Sequence, residues 1–360
     1  MHPPAYARPC YFARPGSIIS SKRIHYQVLS ILGEGAFGRV VKCVRLQDKK
    51  KVAIKVLKQK GNYYSRVKKE IQALLQLKDL DAQKCNTIQV HSAFHDRGNF
   101  CFVFEYLDTS LYDFVKANSF RPLPLEGIRF IVQQLAVALQ ALRSISLTHC
   151  DIKLDNIMLV DHENQPFRVK LIDFGLACDA SCLPQGCVVG ALFLMERLFD
   201  GKNENDMMRC IVELLGQPPN QILDAGLKTQ EYFCFCPRNH SWQLRNDINY
   251  SGKAGYKLLH SLDDILYALP VEDSRGQELF LFVDMLKKML DPDPTARITP
   301  EQLLQHGFLT NADGASPSKE PEPTAGEDRR HLRRAKATKR TRESVDEDAG
   351  QNSKRARNAV

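Results

Sequence analysis

The 360-residue chain is 43% hydrophobic and 26% charged, with a formal net charge of +8, ordinary values for a soluble globular protein with room for two packed lobes and a tail. A membrane role and secretion are not indicated, because no run of 18 or more apolar residues occurs and MHPPAYARPCYFARPG lacks the apolar core of a signal peptide. Eleven cysteines, an odd number without a secretion signal, point to reduced thiols, and neither Cys178, Cys182 and Cys187 nor Cys234 and Cys236 has the paired CxxC spacing of a zinc site.

In chain order, residues 1–25 read as a flexible extension. From Tyr26, YQVLSILGEGAFGRVVKCVRL alternates apolar and polar residues on both sides of a glycine cluster, which predicts a strand-turn-strand hairpin. Gly33, Gly35 and Gly38 form GxGxxG, extended by Val40. Glycines there allow backbone amides to close over phosphates, although taken alone they fit a plain glycine hairpin better, and a dinucleotide fold would need a helix straight after the third glycine. KVAIKVL then projects Lys55 from a strand between apolar neighbours. SRVKKEIQALLQL places Val67, Ile71, Leu74 and Leu75 at helical spacing, with Glu70 beside that face.

TIQVHSAFHD and NFCFVFEYLD read as two more strands, LYDFV as a short helix, and residues 125–146 as a long helix with Ile128, Ile131, Val132, Leu135, Leu139 and Leu142 on its core face. That helix leads into LTHCDIKLDNIMLVDHENQPFRVKLIDFG, residues 147–175. The stretch holds what phosphoryl transfer needs: Asp151 to orient a hydroxyl, and Asn156 and Asp173 as hard oxygen ligands for a metal. Two short apolar runs around the turn-prone DHENQP predict a hairpin that brings Asn156 and Asp173 together.

The order and spacing of Asp151, Lys153, Asn156 and Asp173-Phe174-Gly175 resemble the catalytic loop and DFG motif of protein kinases, and the glycine motif and VAIK lie where that family has its own. The resemblance implies ATP and Mg2+ as cofactors. Lys55 would bridge the α- and β-phosphates and pair with Glu70, and Lys153 would contact the γ-phosphate. Phe104 would sit behind the adenine, with the Glu105 carbonyl and Leu107 amide pairing with its edge. Leu32, Val40, Ala53 and Met158 would complete the nucleotide site.

QPFRVKLIDFG, the HxD with Cys150 in place of Arg, NIMLVD, LKTQEYF, SWQL and SLDD narrow the likeness further. They resemble the homeodomain-interacting protein kinases, a branch of the CMGC serine/threonine kinases, over about residues 26–310. In relatives with Arg at position 150 that Arg binds a phosphorylated activation loop, so Cys150 implies control that does not use this contact. MLDPDPTARITPEQLLQHGFL resembles the last kinase helices, with Arg297 where an Ala-Pro-Glu glutamate is usually paired.

The DFG motif is followed by LACDASCLPQ and then GCVVGALFLMERLFDG, which resembles the later part of the central helix of the lower lobe. No APE, no tyrosine-bearing activation loop and no DxWSxG intervene, so a block of roughly forty residues is missing relative to the family pattern. With it go the platform for a peptide substrate, the acidic anchor beneath the catalytic loop, and the partner of Arg297. An omitted exon and a paralogue turned nucleotide-binding pseudokinase both account for the gap.

From about residue 311 large apolar residues become scarce, which predicts disorder. Ser316-Pro317 is a candidate phosphosite. Eight Lys or Arg between Arg329 and Arg342, and Lys354-Arg355-Ala356-Arg357, indicate nuclear import or nucleic-acid contact, or simply a solvated basic tail.

The sequence therefore predicts an α+β, two-lobed protein-kinase fold: N-lobe 26–106, C-lobe 107–310 with the internal gap after about residue 185, and a disordered tail 311–360. The expected activity is phosphorylation of Ser or Thr in nuclear proteins such as transcription regulators, by a monomer. The alternatives are a nucleotide-binding pseudokinase and, from the tail alone, a nucleic-acid-binding protein.

Overall fold

The computed structural model describes residues 13–35, 38–58, 63–177, 198–199, 201–245, 259–267 and 273–310. The chain divides into a unit spanning Met1–Pro317 and a second spanning Ser318–Val360. The second unit, the basic tail with Ser316, and most of GCVVGALFLMERLFDG lie outside the described residues.

The alternating segments on either side of the glycines form strands, as period-2 patterning dictates. Strands β1 (Ile18–Ser20), β2 (His25–Glu34), β3 (Gly38–Arg45), β4 (Lys51–Leu57), β5 (Val90–Asp96) and β6 (Asn99–Glu105) make one antiparallel sheet in the order β1-β2-β3-β4-β6-β5. Residues 13–25 depart from the expected flexible extension. Ala13 and Ile19 are buried, and β1 pairs with β2 from Ile18↔Gln27 to Ser20↔His25. A three-residue strand is too short for its alternation to stand out in the sequence.

Register fixes what each face of this sheet carries. Val40 lies opposite Lys55, Lys55 opposite Phe102, and Ala53 opposite Phe104, so these side chains share one face. The other face packs Val41, Cys43, Val52, Ile54, Val56, Cys101 and Val103 with Tyr26 and Val28 into a separate core. Helix α1 (Tyr63–Leu77) buries Val67, Ala73, Leu74 and Leu77, whereas Leu75, assigned by spacing to the core face, is 55% exposed. Val67 and Leu74 are buried as assigned and half-buried Ile71 packs against the core, while Ala73 takes the buried place expected for Leu75.

The larger core runs from Phe102 through the lower lobe. Helix α2 (Leu111–Ala117) is capped by Ser110, whose hydroxyl accepts the Asp113 amide. Helix α3 (Leu125–Ser144) buries all six residues assigned to its core face. It is long and apolar enough to cross a membrane, yet half of it is buried inside the domain. Strands β7 (Thr109–Ser110), β8 (Ile157–Asp161) and β9 (Gln165–Leu171) form a three-stranded sheet against it. The Gln134 amide, on α3, donates to Phe167 O (2.9 Å) and accepts from Val169 N (2.9 Å), standing in for a further strand along β9.

Beyond the undescribed segment follow α4 (Glu204–Leu215), α5 (Asn220–Ala225), α6 (Thr229–Tyr232), the hairpin β10 (Phe233–Cys236) and β11 (Ser241–Leu244), then α7 (Asp273–Met289), α8 (Pro300–Leu304) and α9 (Gly307–Thr310). A capping box between Thr299 and Gln302 starts α8. Arg129 of α3 donates to Phe308 O (2.7 Å) and pairs with Glu278, tying α3 to α7 and α9.

The exit of α3 aims the chain at the segment that begins with Leu147 and carries Asp151 and Asn156. Leu147 N bonds Leu142 O (2.9 Å) and Ser146 N bonds Arg143 O (3.0 Å), a Schellman closure with Ser146 left-handed at φ 54°. A residue with a Cβ is strained there, so Ser146→Gly should raise stability by about 0.5–1 kcal/mol in urea unfolding; an unchanged or lower midpoint would contradict the motif.

Candidate active site

Strand β4 presents Lys55 on the lower face of the sheet, and α1 presents Glu70 from its buried side. Lys55 Nζ lies 2.7 Å from Glu70 Oε1 and 2.9 Å from Asp173 Oδ1, just beyond β9. Lys55 and Glu70 are both buried. Burial opposes the ammonium charge, but the two carboxylates outweigh it and hold the Lys55 pKa above its ordinary value. Burial likewise disfavours ionised Asp173, and Lys55 outweighs it to hold that carboxyl below the usual range. One ammonium between two carboxylates leaves a negative charge uncompensated in this trio, the sign that suits a bound cation.

The hairpin of β8 and β9 forms as the turn-prone DHENQP predicts, with Ile157 opposite Leu171. It places Asn156 O against Ile172 N at 2.9 Å, bringing the two metal-ligand candidates onto adjacent strand ends. Asn156 Nδ2 donates to Asp151 O (2.8 Å) and Oδ2 (2.9 Å), and Lys153 Nζ donates to Asp151 Oδ2 (2.8 Å). The hydrogen bond to Asp151 raises the Lys153 pKa. Asn156 Oδ1 and Asp173 Oδ2 accept nothing among the described residues, so both can serve as hard oxygen ligands for a metal.

His149 organises this loop from within. Its Nδ1 accepts from Asp151 N (3.2 Å), which leaves Nε2 to donate to Ile172 O (2.8 Å). Burial lowers its pKa, in keeping with a neutral ring. Phe174 is buried and packs edge-on against that ring at 4.9 Å. Cys150 and Asp173 both have left-handed backbone, at φ 61° and 60°; Asp tolerates it, whereas Cys is strained there.

The glycine motif divides by purpose. A Cβ on Gly38 would meet Val56 O at 2.5 Å, whereas one on Gly33 or Gly35 would meet nothing within 4 Å. Packing therefore accounts for Gly38 alone, and the open space at Gly33 and Gly35 fits a ligand's phosphates. Glu34, the last residue of β2, is held between Lys58 (2.8 Å) and Arg39 (2.7 Å). Leu32 remains 46% exposed, and Val40, Ala53, Phe104 and Met158 are half-buried, an apolar surface that a planar ring can cover. Met158 on β8 lies between Ser110 of β7 and Lys170 of β9.

At the link between lobes, the buried Leu107 amide donates to no group among the described residues. Pattern reading missed the supports around it. Lys42 Nζ donates to Tyr106 Oη (2.9 Å), Asp108 pairs with His162, and buried Lys170 holds Glu105 (2.6 Å). Lys170 carried the same signal as Lys55, a lysine inside an apolar strand.

The family model for the protein kinase domain matches residues 26–185. Homeodomain-interacting protein kinase 2 of Mesocricetus auratus is 36% identical over 338 residues, 81% of this chain and 29% of that protein. For homeodomain-interacting protein kinase 1 of Caenorhabditis elegans the values are 33%, 79% and 40%, and for homeodomain-interacting protein kinase 4 of Homo sapiens 31%, 82% and 56%. The chain carries a kinase domain of the homeodomain-interacting protein kinase type. It spans well under two thirds of the length of these relatives. The 338 aligned positions exceed what 81% of 360 residues supplies, so the relatives hold residues inside the alignment that this kinase domain lacks. Among the described residues Arg297 makes no ion pair, and its Nε donates to Asp291 O (2.9 Å).

Two outcomes are expected. Gly35→Ala should leave the urea midpoint of the kinase domain unchanged while lowering Mg-ATP affinity, whereas Gly38→Ala should lower the midpoint itself; the reverse pattern would contradict the division. Because Asp173 has a depressed pKa, its contribution is complete above the ordinary carboxylate range and fades as pH falls through its own lower value. The stability advantage of wild type over Asp173→Asn should therefore be flat near neutrality and shrink below about pH 4; an advantage that grows on acidification would contradict it.

Proposed function

We propose that this domain transfers the γ-phosphate of ATP to Ser or Thr hydroxyls of protein substrates, with Mg2+ as the metal. The carrying observation is the contact of Lys55 with both Glu70 and Asp173, which joins sheet, helix and metal-side loop in the arrangement this chemistry requires. Lys55 holds the α- and β-phosphates, and the amides around Gly33 and Gly35 close over them. The Glu105 carbonyl and the Leu107 amide, which has no acceptor among the described residues, pair with the adenine edge, with Phe104 behind it and Leu32, Val40, Ala53 and Met158 on its faces. Asn156 and Asp173 hold Mg2+, which when bound neutralises charge on the phosphates. Asp151 orients the incoming hydroxyl, steadied by Asn156 and Lys153, and Lys153 also reaches the γ-phosphate. His149, neutral and doubly bonded, keeps the Asp151 backbone in place.

The relatives are named for interaction with homeodomains, and this supports nuclear substrates of the transcription-regulator kind for this chain. The basic clusters at 329–342 and 354–357 support a nuclear location, with nucleic-acid contact by the tail as a secondary role, and the domain acts as a monomer. The absent APE segment and the locally bonded Arg297 favour a second reading, a nucleotide-binding domain without efficient catalysis.

Thermal unfolding with and without Mg-ATP, beside phosphate incorporation in wild type and Asp151→Asn, separates the two. The proposal expects stabilisation by Mg-ATP in both proteins and an incorporation rate on the order of 10²–10⁴ lower in Asp151→Asn. Stabilisation with no incorporation by wild type would leave only the second reading.

A further inference from the structure

Lys170 is 1% exposed, and no residue of the phosphate or metal side uses it. Its Nζ lies 2.6 Å from Glu105 Oε1. The same oxygen accepts the Gln89 amide at 2.7 Å, while the Glu105 amide donates to Gln89 O at 3.1 Å. Glu105 is thereby gripped through both side chain and backbone. The strand that carries Lys170 is itself pinned on either side: Val169 N donates to the Gln134 side chain, Leu171 N to Asn86 O (2.9 Å), and Ile88 N to Leu171 O (3.0 Å).

Stability alone does not account for such a pair. A buried ammonium and a half-buried carboxylate lose much of their mutual attraction to desolvation, and apolar residues of similar volume commonly serve as well or better. What an ion pair supplies, and an apolar contact does not, is direction. Displacing the Glu105 carboxylate would leave a buried ammonium unpaired, so the hinge backbone at Glu105 is held to one place. Asp173 follows Lys170 by three residues on the same segment, so the base-facing and phosphate-facing ends of the site are both referenced to β9.

We propose that Lys170 is a positioning residue for base specificity: through the Glu105 carboxylate it fixes the backbone carbonyl that accepts a hydrogen bond from the amino group of adenine. The inference rests on the nucleotide-binding reading above. A purine with an oxo group in place of that amino group sets one carbonyl against another, so discrimination between the two bases depends on where the Glu105 carbonyl stands.

The test measures binding of Mg-ATP and Mg-ITP to the full chain by calorimetry, with Lys170→Met, the double variant Lys170→Met/Glu105→Met, and thermal unfolding of each. Lys170→Met leaves the half-buried Glu105 carboxylate without its cation and should be less stable. The double variant should recover stability and carries the test should the single variant fail to fold. In the double variant ATP affinity should fall roughly three- to tenfold, as for one lost hydrogen bond, while ITP affinity stays unchanged. A double variant with the wild-type preference for ATP over ITP would overturn the inference, as would a parallel loss for both nucleotides, which marks a packing role. Wild type binding neither nucleotide would overturn the nucleotide-binding reading beneath it, and this inference with it.

Discussion

The Lys55 ammonium, enclosed with two carboxylates, is the constraint on which the rest of the domain depends. A charge taken out of water is costly unless paired with good geometry, and its partners come from separate parts of the chain, Glu70 on α1 and Asp173 just beyond β9. The pairing therefore holds only when sheet, helix and lower-lobe hairpin are all in place. Phe174 buried against His149, and His149 bonded to Ile172, keep Asp173 at that position.

Most of this was legible in the sequence, for identifiable reasons. Lys55 and Glu70 stood out as polar groups beside regular apolar spacing, and the hairpin that aligns Asn156 with Ile172 was marked by two apolar runs around a turn. The six-residue stripe of α3 matched its buried face because a helix of twenty residues repeats its pattern often enough to be read. The short β1 repeats too little to be read, and Leu75 shows how a small residue such as Ala73 can take a buried place expected for a larger one. Lys170, Asp108 with His162, and Lys42 with Tyr106 depend on contacts between residues distant in sequence, and spacing along one segment carries no record of them.

Catalytic-loop geometry and substrate platform separate cleanly in this chain. Asp151, Lys153 and Asn156 bond one another, and their arrangement does not draw on an APE segment. Arg297, which the family pattern pairs with that segment, donates instead to the Asp291 carbonyl. A guanidinium that is only half-buried can remain charged with solvent as part of its shell, which lessens the cost of a missing carboxylate there. Nucleotide handling and peptide docking are thus distinct demands on the fold, and the contacts among Lys55, Glu70, Asp173, Asn156 and Asp151 bear on the first.

The central claim is that Lys55 reads phosphates while the hinge reads the base. Calorimetric titration of wild type and Lys55→Met with Mg-ATP and with adenosine tests it most directly. The account predicts that Lys55→Met loses ATP affinity on the order of ten- to a hundredfold, as for a charge-assisted hydrogen bond, and keeps the wild-type affinity for adenosine, which also reports an intact fold. Unchanged ATP affinity in a variant that still binds adenosine would contradict it.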